Sequence, residues 1–500
     1  MLSILLIVPL IGAIIAASSP SQTRSIASYV ALAIIGWTVL LLTKFDLSNS
    51  GMQFVENFTW IDTLGLSYRL GIDGLSLPLV ALNSLLTWVA IYSSDEKIQR
   101  PRLYYSLILI LNAAVTGVFL AQDLLLFFIS YELELIPLYL LIAIWGGQKR
   151  AYAATKFLIY TALSGALILA AFLGLAWFGG SNSFTYNPAL SAALPLSQQL
   201  LLLGALLLGF GIKVPLFPFH TWLPDAHVEA STPISVLLAG VLLKLATYGI
   251  LRFCVGLFPE AWQVAAPWLS IWAIVSVLYG ALMAIAQTDM KKMVAYSSVS
   301  HMGYILLAAA ANTPLSFSAA MIQMVSHGLI SATLFLLVGV VYQKTKTRDI
   351  NVIQGLLNPE RGMPLIGSLM VISVMASAGI PGMVGFVAEF LIFRSSFPVF
   401  PIQTLLCMLG TGLTAVYYLL LINKAFFGRL SVPVQNLETV TWQERYPAII
   451  LTVAIVLFGL QPSWITRWSE LTIAATLQAP AIVATAAKIE VSTSAPSPSL

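Results

Sequence analysis

Long apolar runs, each about the length that crosses a bilayer, alternate along this chain with short polar connections. About 20 apolar residues span hydrocarbon as a helix, and on that ruler the pattern predicts fourteen helices. They fall near residues 2–18, 26–43, 74–94, 103–121, 122–145, 153–178, 199–219, 232–253, 262–286, 293–311, 315–342, 363–394, 402–427 and 446–461. The fourth and fifth nearly merge through Gln122 and Asp123. Between the second and third, the mixed stretch from Phe45 to Asp73 predicts short hairpin or amphipathic pieces at the outer surface. After Pro462, Trp464 and Trp468 predict an interfacial anchor. The Ala/Ser/Pro tail from Ala486 is expected to be disordered.

Two of these helices carry breakers. Lys213 is followed at once by Val214-Pro215 and then Pro218, and the twelfth helix contains Ala378-Gly379-Ile380-Pro381-Gly382 with Glu389 just beyond. Proline and glycine free backbone groups, which a bilayer core tolerates only where protein or water satisfies them. Paired broken helices in two halves of a chain point to an inverted-repeat transporter fold.

Composition agrees with the pattern. Of 500 residues, 59% are apolar and 9% charged, where a soluble domain carries about 25% charged residues. The chain therefore reads as an all-α polytopic membrane protein. The basic residues test its topology. With a non-cytoplasmic N-terminus, the cytoplasmic side takes Arg24, Lys97, Arg100, Arg102, Lys149, Arg150, Lys156, Lys291, Lys292, Lys344, Lys346, Arg348, Arg361, Arg429 and Arg445, fifteen in all. The other side takes six: Lys44, Arg69, Arg252, Arg394, Arg467 and Lys488. That split favours an even number of spans. Met1 to Ala17 lacks a basic lead, so it reads as a first span rather than a cleaved signal. Cys254 and Cys407 offer neither metal spacing nor a disulfide framework. No dinucleotide fingerprint or P-loop appears, so no cofactor or metal is expected in this chain, and nothing points to nucleic acid.

The chemistry then rests on ionisable residues inside apolar helices, which are costly enough to suggest use. Lys213 and Lys244 lie in two neighbouring spans, with Glu132 and Glu134 in FFISYELELIPLYL, His301 in SSVSHMGY, His327 in MVSHGLIS and Glu389 in GFVAEFLIF. Both signs are present, buried lysine shifts its pKa readily, and histidine relays near neutrality. The set also spreads over many helices instead of clustering as a ligand site, so a proton path is expected. Glu132 and Glu134 are about 200° apart around a helix, so one faces the interior and the other an interface. His301 and His327 read equally well as packing residues from position alone. Lys424 lies a turn from a helix end, where snorkelling suffices. Asp225, His227 and Glu229 look like a metal set, but their spacing does not place all three on one helical face. A hydrogen-bonded turn or a proton entry fits them better, with His220 in the same turn. Asp289, Lys291 and Lys292 read as a helix cap and topology signal.

FGIKVPLFPFHTWLPDAHVEASTPISVLLAGVLLKLATYGILRF, QTDMKKMVAYSSVSHMGY and IPGMVGFVAEF closely resemble the antiporter-like proton-pumping subunits of complex I. YELELIPLYLLIAIWGG further resembles their chain 4 in its cyanobacterial and chloroplast form. The resemblance covers helices 3 to 13. It implies fourteen transmembrane helices, with helices 4–8 and 9–13 as inverted five-helix repeats and helices 7 and 12 broken. Residues 1–102 then hold helices 1–3 and the outer loop, 103–257 the first half, 258–430 the second, and 431–500 helix 14, the interfacial segment and the tail. It also implies a relay. The family's helix 5 glutamate stands five residues before a proline, which selects Glu132 as the partner of Lys213 and leaves Glu134 as an extra. Lys244 is the helix 8 lysine, His301 and His327 the bridging histidines, and Glu389 the exit residue. On that resemblance Lys213 gives its proton to the centre when its pair opens, and Lys244, His327 and Glu389 carry the charge onward. Quinone reduction elsewhere drives the process, with iron–sulfur clusters and plastoquinone on partner subunits, a chain 5-type antiporter-like subunit among them.

One departure stands out. The turn reads DAHVEASTP, with Val228 where the family's turn carries glycine. In this it resembles the chain 4 variant of cyanobacterial complexes specialised for inorganic carbon uptake. That implies a thylakoid location and a carbon-dioxide-hydrating partner module. A cation/proton antiporter subunit of the Mrp type shares the same helices and lysines and stays open as the alternative.

Overall fold

The computed structural model describes residues 1–19, 22–360, 362–435, 437–475 and 477; the tail from Ala486 lies outside them. Eleven helices among the described residues are long and apolar enough to cross a membrane; three shorter apolar ones accompany them, and Val384–Ser396 makes a fifteenth. In chain order they are α1 (Ile4–Ser18), α2 (Thr23–Lys44), α3 (Leu77–Tyr92), α4 (Pro101–Leu120), α5 (Leu124–Trp145), α6 (Arg150–Phe178), α7 (Leu196–Lys213), α8 (Thr232–Val255), α9 (Pro259–Ile285), α10 (Met290–Ala311) and α11 (Pro314–Thr345). There follow α12 (Pro364–Ser377), α13 (Val384–Ser396), α14 (Pro401–Phe426) and α15 (Trp442–Leu460). Proline opens α4, α9, α11, α12 and α14, where its missing N–H has no intrahelical partner to lose. Asp123 caps α5 by accepting from the N–H groups of Leu125 and Leu126 at 3.0 and 3.1 Å.

The expected outer hairpin is present as β1 (Gln53–Ile61) paired antiparallel with β2 (Leu66–Ile72). Its turn needs Gly65 at φ +64°, and a Cβ there would meet the Asn182 carbonyl at 1.8 Å. Beyond the hairpin, the chain is helical over 463–475, and the Trp468 carbonyl lies against Gly74, 1.7 Å from where a Cβ would stand. Gly74→Val is therefore expected to push this terminal helix off the hairpin, at a cost of about 1–3 kcal/mol from overpacking. Faster cleavage within 463–475 in limited proteolysis is the expected readout.

α8 and α11 run through the centre with nearly every residue buried. Peripheral helices such as α2 and α15 keep apolar side chains outward, as lipid-facing helices do. At one end of the bundle, Arg24 in the first turn of α2, Glu96 just after α3, Lys344 in the last turn of α11 and Glu444 in the first turn of α15 line a cavity of about 410 Å³. A second cavity of about 460 Å³, lined by Glu229, Lys291 and Arg348, shares Thr232 and Gly339 with it. The connections expected on the cytoplasmic side thus gather at one end. Arg252, counted with the outer helix ends, is buried inside α8 rather than exposed.

Both expected breaks are present. α7 ends on Lys213, after which a 3₁₀ turn (Phe219–Thr221) leads into a short helix, Trp222–Glu229. Indole N–H groups satisfy carbonyls freed there: Trp222 donates to Ile212 at 2.9 Å and Trp272 to Phe217 at 2.5 Å. α12 and α13 are the halves of the second broken helix. Gly379 (φ +73°) turns the chain between them, and Gly385 crosses so close to Ala376 that a Cβ would stand 1.9 Å from its carbonyl oxygen.

Candidate functional site: a line of buried charges

α5 is interrupted at Glu134, where its helical hydrogen bonding breaks. Pro137 explains this, because its ring excludes the carbonyl four residues earlier, that of Leu133. The kink turns Glu134 inward. Its carboxylate forms an ion pair with Lys213 Nζ, and both side chains are essentially fully buried. Lys213 Nζ also lies 3.4 Å from the Tyr131 carbonyl oxygen and 3.4 Å from the centre of its ring. The Tyr131 hydroxyl meets Ser164 at 3.3 Å, and Ser164 donates to the Gly209 carbonyl at 2.7 Å, so α6 and α7 hold the tyrosine in place.

The pairing differs from the expected one. Glu132 is only partly buried and packs against α6, where a Cβ on Gly165 would come within 1.9 Å of its Oε1. Lys213 takes Glu134 instead. Removing one partner of a buried pair costs about 3–5 kcal/mol, since the other charge stays behind. Glu134→Gln is thus expected to lower the unfolding temperature of the solubilised complex more than Glu132→Gln, as scanning fluorimetry would show.

Lys244 lies in a short α-helical stretch of α8 between two π-helical stretches, Leu238–Leu242 and Ile250–Val255. Such wide turns recur at functional positions. Lys244 Nζ donates to the Ala239 carbonyl at 2.5 Å and meets His327 Nδ1 at 2.8 Å. His327 Nε2 bonds the Ser298 hydroxyl at 3.0 Å. The rings of His327 and His301 have centroids 5.6 Å apart, and His301 Nδ1 stands 3.5 Å from Glu389 Oε1. Gln323 and Ser377 flank His301 at 3.4 and 3.1 Å. Thr411 donates to Glu389 Oε2 at 2.9 Å. His301, Gln323, Ser326, His327 and Glu389 all line a small cavity of about 10 Å³, about the space one water needs.

The structure thus brings Lys244, His327, His301 and Glu389 into one line across α8, α11, α10 and α13, with His301 standing between His327 and Glu389. Lys213 and Glu134 form a separate pair, and no hydrogen bond among the described residues links Lys213 to Lys244. Lys424 reaches Asn351 Oδ1 at 2.9 Å at an exposed helix end. Asp225, His227 and Glu229 diverge: Asp225 pairs with Lys156 at 2.7 Å, Glu229 accepts from the Lys149 N–H at 2.8 Å, and His227 stacks on Phe335 at 4.5 Å. His220 packs against Phe217 and Tyr279. Asp289 caps α10 through the Lys291 and Lys292 N–H groups, while Lys291 is buried with Nζ 2.6 Å from the Ala230 carbonyl.

The sequence reading overlooked the ion pair between Arg252 and Asp73, both buried. A polar residue eight positions after Lys244 in the same apolar helix was the available signal, but its partner lies 179 residues away.

Residues 121–414 match the family model described as NADH:quinone oxidoreductase/Mrp antiporter, TM. The chain is 44% identical over 420 residues to NAD(P)H-quinone oxidoreductase chain 4-2 of Synechocystis sp., covering 83% of this chain and 74% of that one. A chain of respiratory complex I from Thermus thermophilus superposes with a TM-score of 0.86 at 27% identity, over 97% of this chain and 99% of that one. A chain of the Mrp complex from Dietzia sp. superposes with a TM-score of 0.85 at 21% identity, over 97% and 98%. The last likeness bears on the fold alone.

Proposed function

The chain belongs to the NADH:quinone oxidoreductase/Mrp antiporter transmembrane family, and from that premise we propose that it is the chain 4-type, proton-translocating membrane subunit of a complex I-like NAD(P)H- or ferredoxin:quinone oxidoreductase. The observation that carries this reading is the buried line Lys244–His327–His301–Glu389. Each member can hold a proton, and the line runs from an amine through two imidazoles to a carboxylate. Redox chemistry belongs to partner subunits that hold quinone and iron–sulfur clusters.

In the closed state Glu134 fixes the Lys213 ammonium. When the pair opens, Lys213 releases its proton toward Lys244 through water. Lys244 Nζ hands a proton to His327 Nδ1, directly opposite it, and the imidazole releases one from Nε2 on its Ser298 side. His301 bridges to the Glu389 carboxylate, held by Thr411 beside the break in α12–α13. Residues 103–257 and 258–430 act as the two halves, the first with Lys213 just before its break and the second with Glu389 just after.

The finer reading places the complex in a cyanobacterial thylakoid membrane, reducing plastoquinone beside a chain 5-type subunit and carrying a CO2-hydrating module. Its support is the cyanobacterial relatives and Val228. That residue lines the cytoplasmic-end cavity, and its carbonyl accepts from Arg348 at 3.0 Å. Mass spectrometry of the purified complex tests it, and absence of any carbonic-anhydrase-like subunit would count against it.

The function itself is tested with Lys213→Met in assembled complex in sealed vesicles. Quinone reduction with fewer protons taken up per electron is expected. Normal pumping at normal assembly would contradict the relay, and sodium-for-proton exchange without quinone reduction would favour an Mrp-type antiporter instead.

A further inference from the structure

Beyond Lys244, on the side of its backbone away from the Ala239 contact of its ammonium, α8 carries further polar side chains. Thr247, Tyr248 and Arg252 follow it at three, four and eight residues, spacings that stack on one stripe of a helix. Thr247 Oγ1 stands 3.2 Å from the Lys244 carbonyl, and Arg252 Nε donates to the Tyr248 hydroxyl at 3.2 Å. The stripe climbs from Lys244 toward the outer hairpin, away from His327. A proton that followed it would leave the relay early.

The stripe ends in a closed pair. Arg252 Nη2 bonds Asp73 Oδ2, and Asp73 Oδ1 accepts from the N–H groups of Leu75 and Ser76 at 3.1 and 3.0 Å. Above them, the Gly74 N–H donates to Thr472 at 3.1 Å and the Trp468 carbonyl closes over Gly74. A guanidinium offers five donors and no acceptor and does not deprotonate in proteins, so a hydrogen-bonded path that reaches it stops.

We propose that the buried Asp73–Arg252 pair is an outer plug on α8, which denies Lys244 a straight exit and forces its charge sideways through His327 to Glu389. The inference rests on the relay reading and adds the reason for its direction. Arg252 carries no proton itself; it acts by closing the alternative route.

The test is passive leak, measured in vesicles holding the assembled complex without reductant, as the decay of an imposed pH gradient. Removing a unit charge about 12 Å from Lys244, in a medium of effective dielectric about 20, changes a rate by up to about tenfold. Arg252→Gln is expected to speed the decay by about that factor, and adding Lys244→Met to return it to the original rate. Should Arg252→Gln lower the amount of complex, Asp73→Asn/Arg252→Gln replaces the guanidinium stop by two amides that both donate and accept and can bond each other; a faster decay is expected there too, smaller than in the single variant because the net charge is unchanged. Decay unchanged in these variants, or a leak that survives Lys244→Met, would overturn the plug. Failure of the relay reading would show separately, as intact pumping by Lys244→Met alone during electron transfer.

Discussion

Lys244→Met is expected to slow proton transfer through this chain by roughly 100-fold or more, the scale on which a positioned acid–base group acts. The ammonium has two close contacts, the Ala239 carbonyl and His327 Nδ1, and only the second leads onward. Methionine is unbranched and adaptable enough to fill the space of the lysine stem, so the packing of α8 against α11 should survive while the link is lost. The measurement is proton uptake by vesicles, recorded together with quinone reduction and with the amount of complex present. Uptake should fall at an unchanged amount of complex.

Glu389→Gln is expected to produce a loss of the same order. The amide keeps the size of the carboxylate and an oxygen to accept from Thr411, but it cannot take a proton from His301. Thr411→Val should have a smaller effect, since it leaves the carboxylate in place and removes one hydrogen bond. The ranking matters more than either value: if Thr411 and Glu389 variants lost pumping equally, the contribution would be one of position rather than of proton carriage. The same vesicle assay distinguishes them.

The features legible in the sequence are those that local physics dictates. Apolar runs marked the helices, prolines after Lys213 and at Pro381 marked the breaks, and isolated ionisable residues in apolar stretches marked Lys213 and the line of Lys244, His301, His327 and Glu389. The choice between Glu132 and Glu134 was not legible. Two residues apart on a regular helix they face different ways, but Pro137 kinks α5 at Glu134, and where the kink turns a carboxylate depends on what packs against it. The resemblance favoured Glu132, and the kinked helix presents Glu134 to Lys213. The order of the histidines was hidden for a similar reason: His301 and His327 sit on α10 and α11, and only the packing of those helices puts His301 beside Glu389. Asp73 and Arg252 were least visible, because a hairpin end and a helix far along the chain meet only in the folded bundle. Arg252 then looked like a helix-end topology charge.

The central claim is that one path connects the Lys213–Glu134 pair to the line that begins at Lys244. Groups in series are strongly non-additive when removed together. The most direct measurement is therefore the number of protons moved per electron in Lys213→Met, Lys244→Met and the double variant, each as assembled complex in sealed vesicles. A single path predicts that each single variant lowers the ratio by the same amount and that the double variant falls no further. An undiminished ratio in either single variant, or a double variant that loses the sum of the two, would contradict it.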